Sequence, residues 1–388
     1  TVPALSFGKL RASWAQVGSD LNPYSLALNY SLASAKFGSY SYMGTPNTIV
    51  DPNIKPALSS SYELGLDLKF LKDKVGLSVT YYNEDKINEI ITVPISGTSG
   101  FTSKLINAGK INRHGLEVSL NATPVKTKDV TWTTTVNWAK NTSKVLALAE
   151  GVDAITVTSD AFGVGTVVHQ VGEAWGQIRG GAYTYKDGKK VLTADGMYVV
   201  TPNSYLGSVL PDFTGGWFNQ IQYKDFVLSA NLEFSKGGKY FSLSDYWGGF
   251  SGLFERTAGV NDKGNPIRDP IADGGGVHVQ GVTADGAAVD KYVDAYTYFH
   301  QFSTNKLSEE HVYDLDFIKL REISIGYRIP VKGSKLLQSA TVSIVARNPW
   351  LIYTKNRDFD PSEMSQIFGE NGQFPGTRSL GVNIKLGF

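Results

Sequence analysis

The 388-residue sequence contains no cysteine. Disulfides, thiolate metal sites and a cysteine nucleophile are therefore excluded. It has no charge bias either: 37 Lys and Arg balance 36 Asp and Glu, so the basic stripe of a nucleic-acid binder is missing. No apolar run approaches the ~18 residues of a membrane-crossing helix. The first residues, TVPALSFGKLRASWAQVGSD, lack the basic start and apolar stretch of a secretory signal. A mature chain, or a fragment whose beginning is missing, is the expectation. Histidine is scarce, and His114, His169, His278, His300 and His311 show neither HExxH nor another ligand spacing. They are expected on loops or the surface, with no metal or cofactor. GTSGF (97–101) is not a nucleophile elbow, GVGTVVHQVG (163–172) lacks dinucleotide-binding spacing, and NDKGNPIRDP (261–270) has the wrong spacing for an EF-hand. No residue is assigned a catalytic role, and an enzyme is not expected.

What the chain has in quantity is 41 glycines, 20 tyrosines, 19 phenylalanines and seven tryptophans, a mix suited to strands and tight turns. Period-two alternation recurs throughout. At the end, Leu380, Val382, Ile384, Leu386 and Phe388 share one face, opposite Gly381, Asn383, Lys385 and Gly387. Tyr62, Leu64, Leu66, Leu68 and Phe70 oppose Glu63, Gly65, Asp67 and Lys69, and Leu228, Ala230, Leu232 and Phe234 oppose Ser229, Asn231 and Glu233. In FIKLREISIGYRI the phase changes near Arg321 and Glu322, which calls for a β-bulge. No amphipathic helix is read anywhere. Taken singly, each strand also fits a soluble sandwich with one face on a core.

The connections separate the two cases. Segments 71–74, 123–129, 223–226 and 330–339 are short; segments 17–58, 93–103, 146–212, 239–312 and 353–376 are long and rich in Gly, Asn, Asp and Ser. Strict alternation of short turns and long loops is the habit of an outer-membrane barrel. Ten strands follow, near 4–16, 59–70, 75–92, 104–122, 130–145, 213–223, 226–238, 313–329, 339–352 and 377–388. The stretch 166–212 must add an even number of crossings, and Asp187-Gly188 within it reads as a hairpin turn. Rings such as Trp14, Tyr62, Phe70, Trp132, Trp138, Trp217, Tyr223, Phe234 and Phe388 fall near strand ends on apolar faces, as interfacial belts do. The longest loop, 239–312, gathers Tyr246, Trp247, Phe250, Phe254, Tyr296, Tyr298 and Phe299. Flat rings stack on sugars and pack on partner proteins, and they equally fold a loop upon itself.

Several stretches carry a family likeness: SSSYELGLDLKFLKDKVGLSVTYYNEDKINEII (59–91), NAGKINRHGLEVSLNATPV (107–125), PDFTGGWFNQIQYKDFVLSANLEFSKGG (211–238), VYDLDFIKLREISIGYRIP (312–330), ATVSIVARNPWLIYT (340–354), DFDPSE (358–363) and FPGTRSLGVNIKLGF (374–388). In this order they resemble the SusC/RagA-type TonB-dependent transporters of the Bacteroidetes outer membrane. The resemblance implies an all-β fold in which residues 1–388 supply about 10–12 strands of a transmembrane antiparallel barrel of about 22 strands. The family's plug domain and TonB box are not among these residues. It implies TonB-dependent uptake of an oligomeric nutrient, a glycan or a peptide, with a SusD-like surface lipoprotein over the mouth. Further partners are TonB, through the N-terminal part, the outer-membrane lipid, and the barrel-assembly machinery that reads the terminal Phe388. No cofactor is implied. A passive porin and a soluble carbohydrate-binding domain are the rival readings.

Overall fold

The computed structural model describes residues 5–21, 23–107, 109–160, 162–331 and 337–388. Ten long strands form one sheet: β1 Leu5–Ser19, β2 Ala57–Phe70, β3 Val75–Ile87, β4 Lys110–Lys126, β5 Val130–Ala147, β6 Phe213–Tyr223, β7 Phe226–Lys236, β8 Phe317–Ile329, β9 Ser339–Thr354 and β10 Ser379–Gly387. They pair in chain order, and every pairing is antiparallel. The expected ten strands are therefore present as a meander. The expected strand 4–16 begins one residue before the described segment. Residues 332–336 of the turn after β8 also lie outside the described residues.

Register explains the two faces. One row runs Leu10, Leu66, Val79, Val118, Trp138, Gly215, Phe234, Ile318 across β1 to β8. Its neighbour row runs Lys9, Asp67, Ser78, Ser119, Asn137, Gly216, Glu233, Lys319. Because side chains alternate, the first row is on the outer face and the second on the inner. The outer face is left uncovered: Leu10 is 78% exposed and Ile384 65%. A soluble sandwich would bury that face against a second sheet, so the sandwich reading fails here. Gly215 has a packing reason. A Cβ there would lie 2.3 Å from the Phe234 ring, which packs with Phe213 and, through it, Trp138 at one rim. Phe226 and Tyr327 meet at the opposite rim, 4.9 Å between centroids.

The phase change in β8 is the bulge that the sequence calls for. Asn231 faces Glu322 and Leu232 faces Leu320, so Arg321 is the unpaired extra residue. Beyond it the outer positions pass from Leu320 to Ile323 and Ile325.

Short turns join β2–β3, β4–β5 and β6–β7 at one end. At the other end, segments 20–56, 88–109, 148–212, 237–316 and 355–378 connect the strands. Residues 148–212 add no crossing to the main sheet. They form a separate four-stranded sheet of Ala154–Ser159, Thr166–Gln170, Gln177–Tyr183 and Val200–Ser208. The Asp187-Gly188 hairpin is present, with φ of 52° and 75°, the double left-handed turn that matches strand twist.

The absence of helix expected for 239–312 is corrected. This segment holds α1, Leu243–Phe250, and α2, Ala295–Thr304, with a hairpin of Val277–Val282 and Ala288–Val293 between them. Each helix has a side-chain N-cap: Ser242 accepts from Asp245 N, and Asp294 from Thr297 N. Such caps satisfy amide groups that a helix start leaves free.

Candidate functional site

Three connections close on one another. Lys239–Ser242 pairs antiparallel with Val312–Asp314 and parallel with Gly369–Glu370. The core over this small sheet draws Val164, Val167 and Ile178 from 148–212, Phe241, Leu243 and Tyr246 from 237–316, and Phe368 from 355–378. Phe241 is fully buried. Apolar burial of this kind, ~25 cal/mol per Å², is what holds the loops as one body.

Buried polar groups fix its orientation. Asp245, at the start of α1, accepts from His311 Nδ1 (2.7 Å), from the Tyr313 hydroxyl (2.7 Å) and from Arg256. Burial alone would raise its pKa. The His311 and Tyr313 hydrogen bonds and the nearby Arg256 charge outweigh that and hold it below the ordinary carboxylate value. Glu370 is wholly buried at the N-terminus of α1. Its carboxylate accepts from Ser242 Oγ (2.7 Å), Ser244 Oγ (2.8 Å), the Ser244 amide and Gly372 N (2.9 Å). A carboxylate at that position meets free amides and the positive end of the helix dipole.

Between α1 and α2 lies a cleft of two lobes that share Gly249 and Phe299. The first, about 530 Å³, is lined by Phe250, Tyr296, Phe299 and His300 with Arg268 and Asp294. Its rings touch: His300 is 4.1 Å from Phe250 and 3.7 Å from Tyr296, centroid to centroid. Arg268 is fixed by Thr257 O (2.7 Å), Thr257 Oγ1 (2.9 Å) and Gly252 O (2.7 Å). The second lobe, about 370 Å³, is lined by Tyr298, Phe299 and Phe302 with Arg256, Glu310 and His311. On its wall, His278 bridges Asp290 (2.6 Å) and Asp262 (2.8 Å), and those partners raise its pKa above 6.5. Aromatic walls with charges of both signs suit a polar oligomer that has flat faces. His311 Nε2 has no hydrogen-bond partner among the described residues.

The site residues drawn from the sequence divide into two groups. Phe250, Tyr296 and Phe299 line the first lobe, and Tyr298 and Phe299 the second. Tyr296 is 74% exposed. Tyr246 is 4% exposed, with its hydroxyl on Ser303 Oγ (2.7 Å). Trp247 packs edge-on against Phe162 (4.9 Å), and Phe254 covers Gly248 and stacks on Arg256. All three pack within the loop body. Phe388 is 71% exposed at the end of β10. His311, expected on a loop or surface, is buried in the loop core. The segment 261–270 closes on itself through Asn261, which bonds Gly274 O (2.8 Å) and Asn265 N (3.1 Å). Among the described residues no group of three or more His, Asp or Glu gathers as a metal site.

Two features escaped the sequence reading. Residues 20–56 carry Tyr24, Tyr30, Phe37, Tyr40 and Tyr42, all exposed. Between 21 and 50 the sole charged residue is Lys36, a signal that was available. The second is a tether at the inner wall. Lys319, buried in β8, bonds Asp360 (2.7 Å), Glu363 (2.7 Å) and Ser362 Oγ (3.0 Å), while Arg321 bonds Glu363 (2.7 Å) and Glu233. Glu363 is pushed below its ordinary value by the Lys319 and Arg321 hydrogen bonds. On β3 to β7 the same inner face forms a trough of about 460 Å³ lined by Ser78, Thr80, Glu117, Ser119, Asn137 and Glu233.

Known proteins resemble the chain along its whole length. The model of the family described as TonB dependent receptor-like, beta-barrel matches residues 3–303. TonB-dependent receptor P26 of Formosa agariphila is 26% identical over 98% of this chain and 40% of its own length. TonB-dependent receptor SusC of Bacteroides thetaiotaomicron is 22% identical over 100% of this chain and 38% of its own. Among solved structures, the RagAB peptide importer in its 'closed-closed' state superposes with a TM-score of 0.71 at 21% identity, covering 99% of this chain and 41% of that one. The chain thus spans about two fifths of the length of these relatives.

Proposed function

The chain belongs to the TonB-dependent receptor-like β-barrel family, and from that membership we propose that it forms wall and mouth of an importer that takes up an oligomeric nutrient, a glycan or a peptide, with a SusD-like surface lipoprotein. It is an outer-membrane β-barrel protein, so the uncovered outer face meets lipid and the long connections face the exterior. One observation carries the proposal. An aromatic cleft opens in a folded loop body at the long-loop end of the sheet, above a polar inner face. A nutrient held at such a place has a wetted wall below it. SusC, similar in sequence, and the RagAB peptide importer, similar in fold, favour the same reading. Energy from TonB would enter the whole receptor through parts that this chain does not span. No covalent step is assigned to the chain. Phe388 is proposed as the signal read during barrel assembly, and its deletion should lower the amount of inserted receptor while leaving synthesis unchanged.

The test uses the full receptor in its host with Tyr296→Ala and Phe299→Ala. Labelled oligosaccharide and oligopeptide pools are offered separately, and surface lipoproteins are recovered by pull-down. Loss of an aromatic anchor is worth ~2 kcal/mol, so uptake of one pool or lipoprotein recovery should fall about 10- to 30-fold at unchanged receptor level. Unchanged uptake and unchanged recovery would refute the cleft as a contact site.

A further inference from the structure

The tether and the cleft are the two ends of one continuous chain of contacts. At the wall, Lys319 and Arg321 hold Asp360, Ser362 and Glu363. Asp360 also starts the turn Pro361–Glu363, accepting from Ser362 N (3.0 Å) and Ser362 Oγ (2.7 Å). Gln373 donates to the Glu363 carbonyl, which folds the segment back toward its own start. Seven residues after Glu363, Glu370 lies buried against Ser242 and Ser244 at the start of α1. Between them, Phe368 enters the loop core and Gly369 pairs with Phe241. α1 in turn supplies Gly249 and Phe250 to the cleft.

We propose that residues 360–370 act as a strap through which Lys319 and Arg321, positioning residues on the barrel wall, set the place of α1 and hence the shape of the cleft. Strand alternation puts Lys319 and Arg321 on the same inner side, and the bulge at Arg321 brings Glu322 there as well. Both ends are charge-assisted and both are shielded. Lys319 and Glu370 are each almost inaccessible, so neither contact is easily exchanged for water. A change at either end must therefore be felt at the other, because the strap between them has its own backbone pairing and core side chain. This inference rests on the reading of the cleft as the contact site only for its consequence in uptake; the mechanical link stands apart from it.

The experiment measures amide hydrogen exchange in the full-length receptor in detergent, without ligand. Glu363→Gln removes the carboxylate shared by Lys319 and Arg321 and keeps its shape. Exchange should rise about tenfold or more at 360–363 and also at 243–250, as expected when charge-assisted hydrogen bonds are lost, while β1–β5 stay unchanged. Glu370→Gln should release 243–250 and 360–363 together. Lys319→Arg keeps the charge and should restore most of the protection that Lys319→Met removes, which a purely space-filling role would not predict. Should Lys319→Met fail to insert, the two Gln variants decide alone. Faster exchange at 360–363 with an unchanged α1 would overturn the strap. An intact strap with no uptake defect in the cleft variants would instead refute the function proposed for the cleft.

Discussion

The ten-stranded sheet and the loop body above it obey opposite burial rules. In the sheet, Leu10, Leu66 and Ile384 point outward and stay exposed among the described residues, while Asp67, Asn137 and Glu233 line the inner face. In the loop body, Phe241, Ile178 and Val167 are fully buried, and the carboxylates taken inside with them, Asp245 and Glu370, are held by hydrogen bonds. The solvent, not the residue type, decides which side is inside. A sheet in lipid gains from apolar atoms on its rim and satisfies its backbone by pairing. A loop assembly in water has to build an apolar core. The chain's aqueous core is therefore in its connections, where the sequence looks least regular.

The largest effect should come from the loop core. Phe241→Ala removes a fully buried ring and should cost about 3–5 kcal/mol. Protease sensitivity should rise in 148–212, 237–316 and 355–378 while the sheet keeps its heat-resistant mobility on gels. Next comes the lipid face. Ile384→Arg or Leu66→Arg should cost ~2–4 kcal/mol at mid-bilayer and lower the yield of inserted receptor. Asn383→Arg and Asp67→Asn, one residue away on the inner face, should insert normally. If both faces tolerated charge equally, the contrast would break.

Gly369→Ala probes the seam between loops. Its φ is 142°, and a Cβ would lie 2.2 Å from the Phe241 carbonyl oxygen. Strain of about 1–3 kcal/mol should loosen 355–378 without touching insertion, as read by hydrogen exchange. Acid should separate the two regions further. Asp245 has a lowered pKa, so its contribution is complete above the ordinary 3.8 and is lost as pH falls through the depressed value. His278 has a raised pKa, so its contribution is complete below 6.5 and is lost as pH rises through the elevated value. The loop body should thus loosen at both extremes, the alkaline effect being confined to the exposed hairpin around Asp262 and Asp290. The smallest effect is expected at Leu253, exposed on the loop body. Leu253→Ser should change stability by no more than ~0.5 kcal/mol.

The contrast also explains what could be read in advance. Strands were legible because alternation and turn length are local signals; the bulge at Arg321 was legible as a phase slip in one segment. The helices left signals that strand-rich surroundings masked. Leu243, Tyr246, Trp247 and Phe250 stand at i, i+3, i+4 and i+7 after Ser242, and Ala295, Tyr298, Phe299 and Phe302 repeat this after Asp294. Which loop rings face the cleft and which fill the core was not legible. Tyr246 and Tyr296 have the same chemistry, and each stands in the first half of a short capped helix. Only the closing of 148–212 and 355–378 over α1 buries the first and leaves the second exposed. The Lys319 tether was hidden for the same reason, since its partners lie some forty residues away.

Spin labels placed singly at Leu66, Asp67, Ile384 and Asn383 of the receptor in bilayers give the most direct test. Collision with oxygen reports lipid, and collision with a water-soluble nickel chelate reports water. The account predicts oxygen-dominated relaxation at positions 66 and 384 and nickel-dominated relaxation at 67 and 383. Equal nickel access at adjacent positions of one strand, or an oxygen-rich signal at 383, would contradict it.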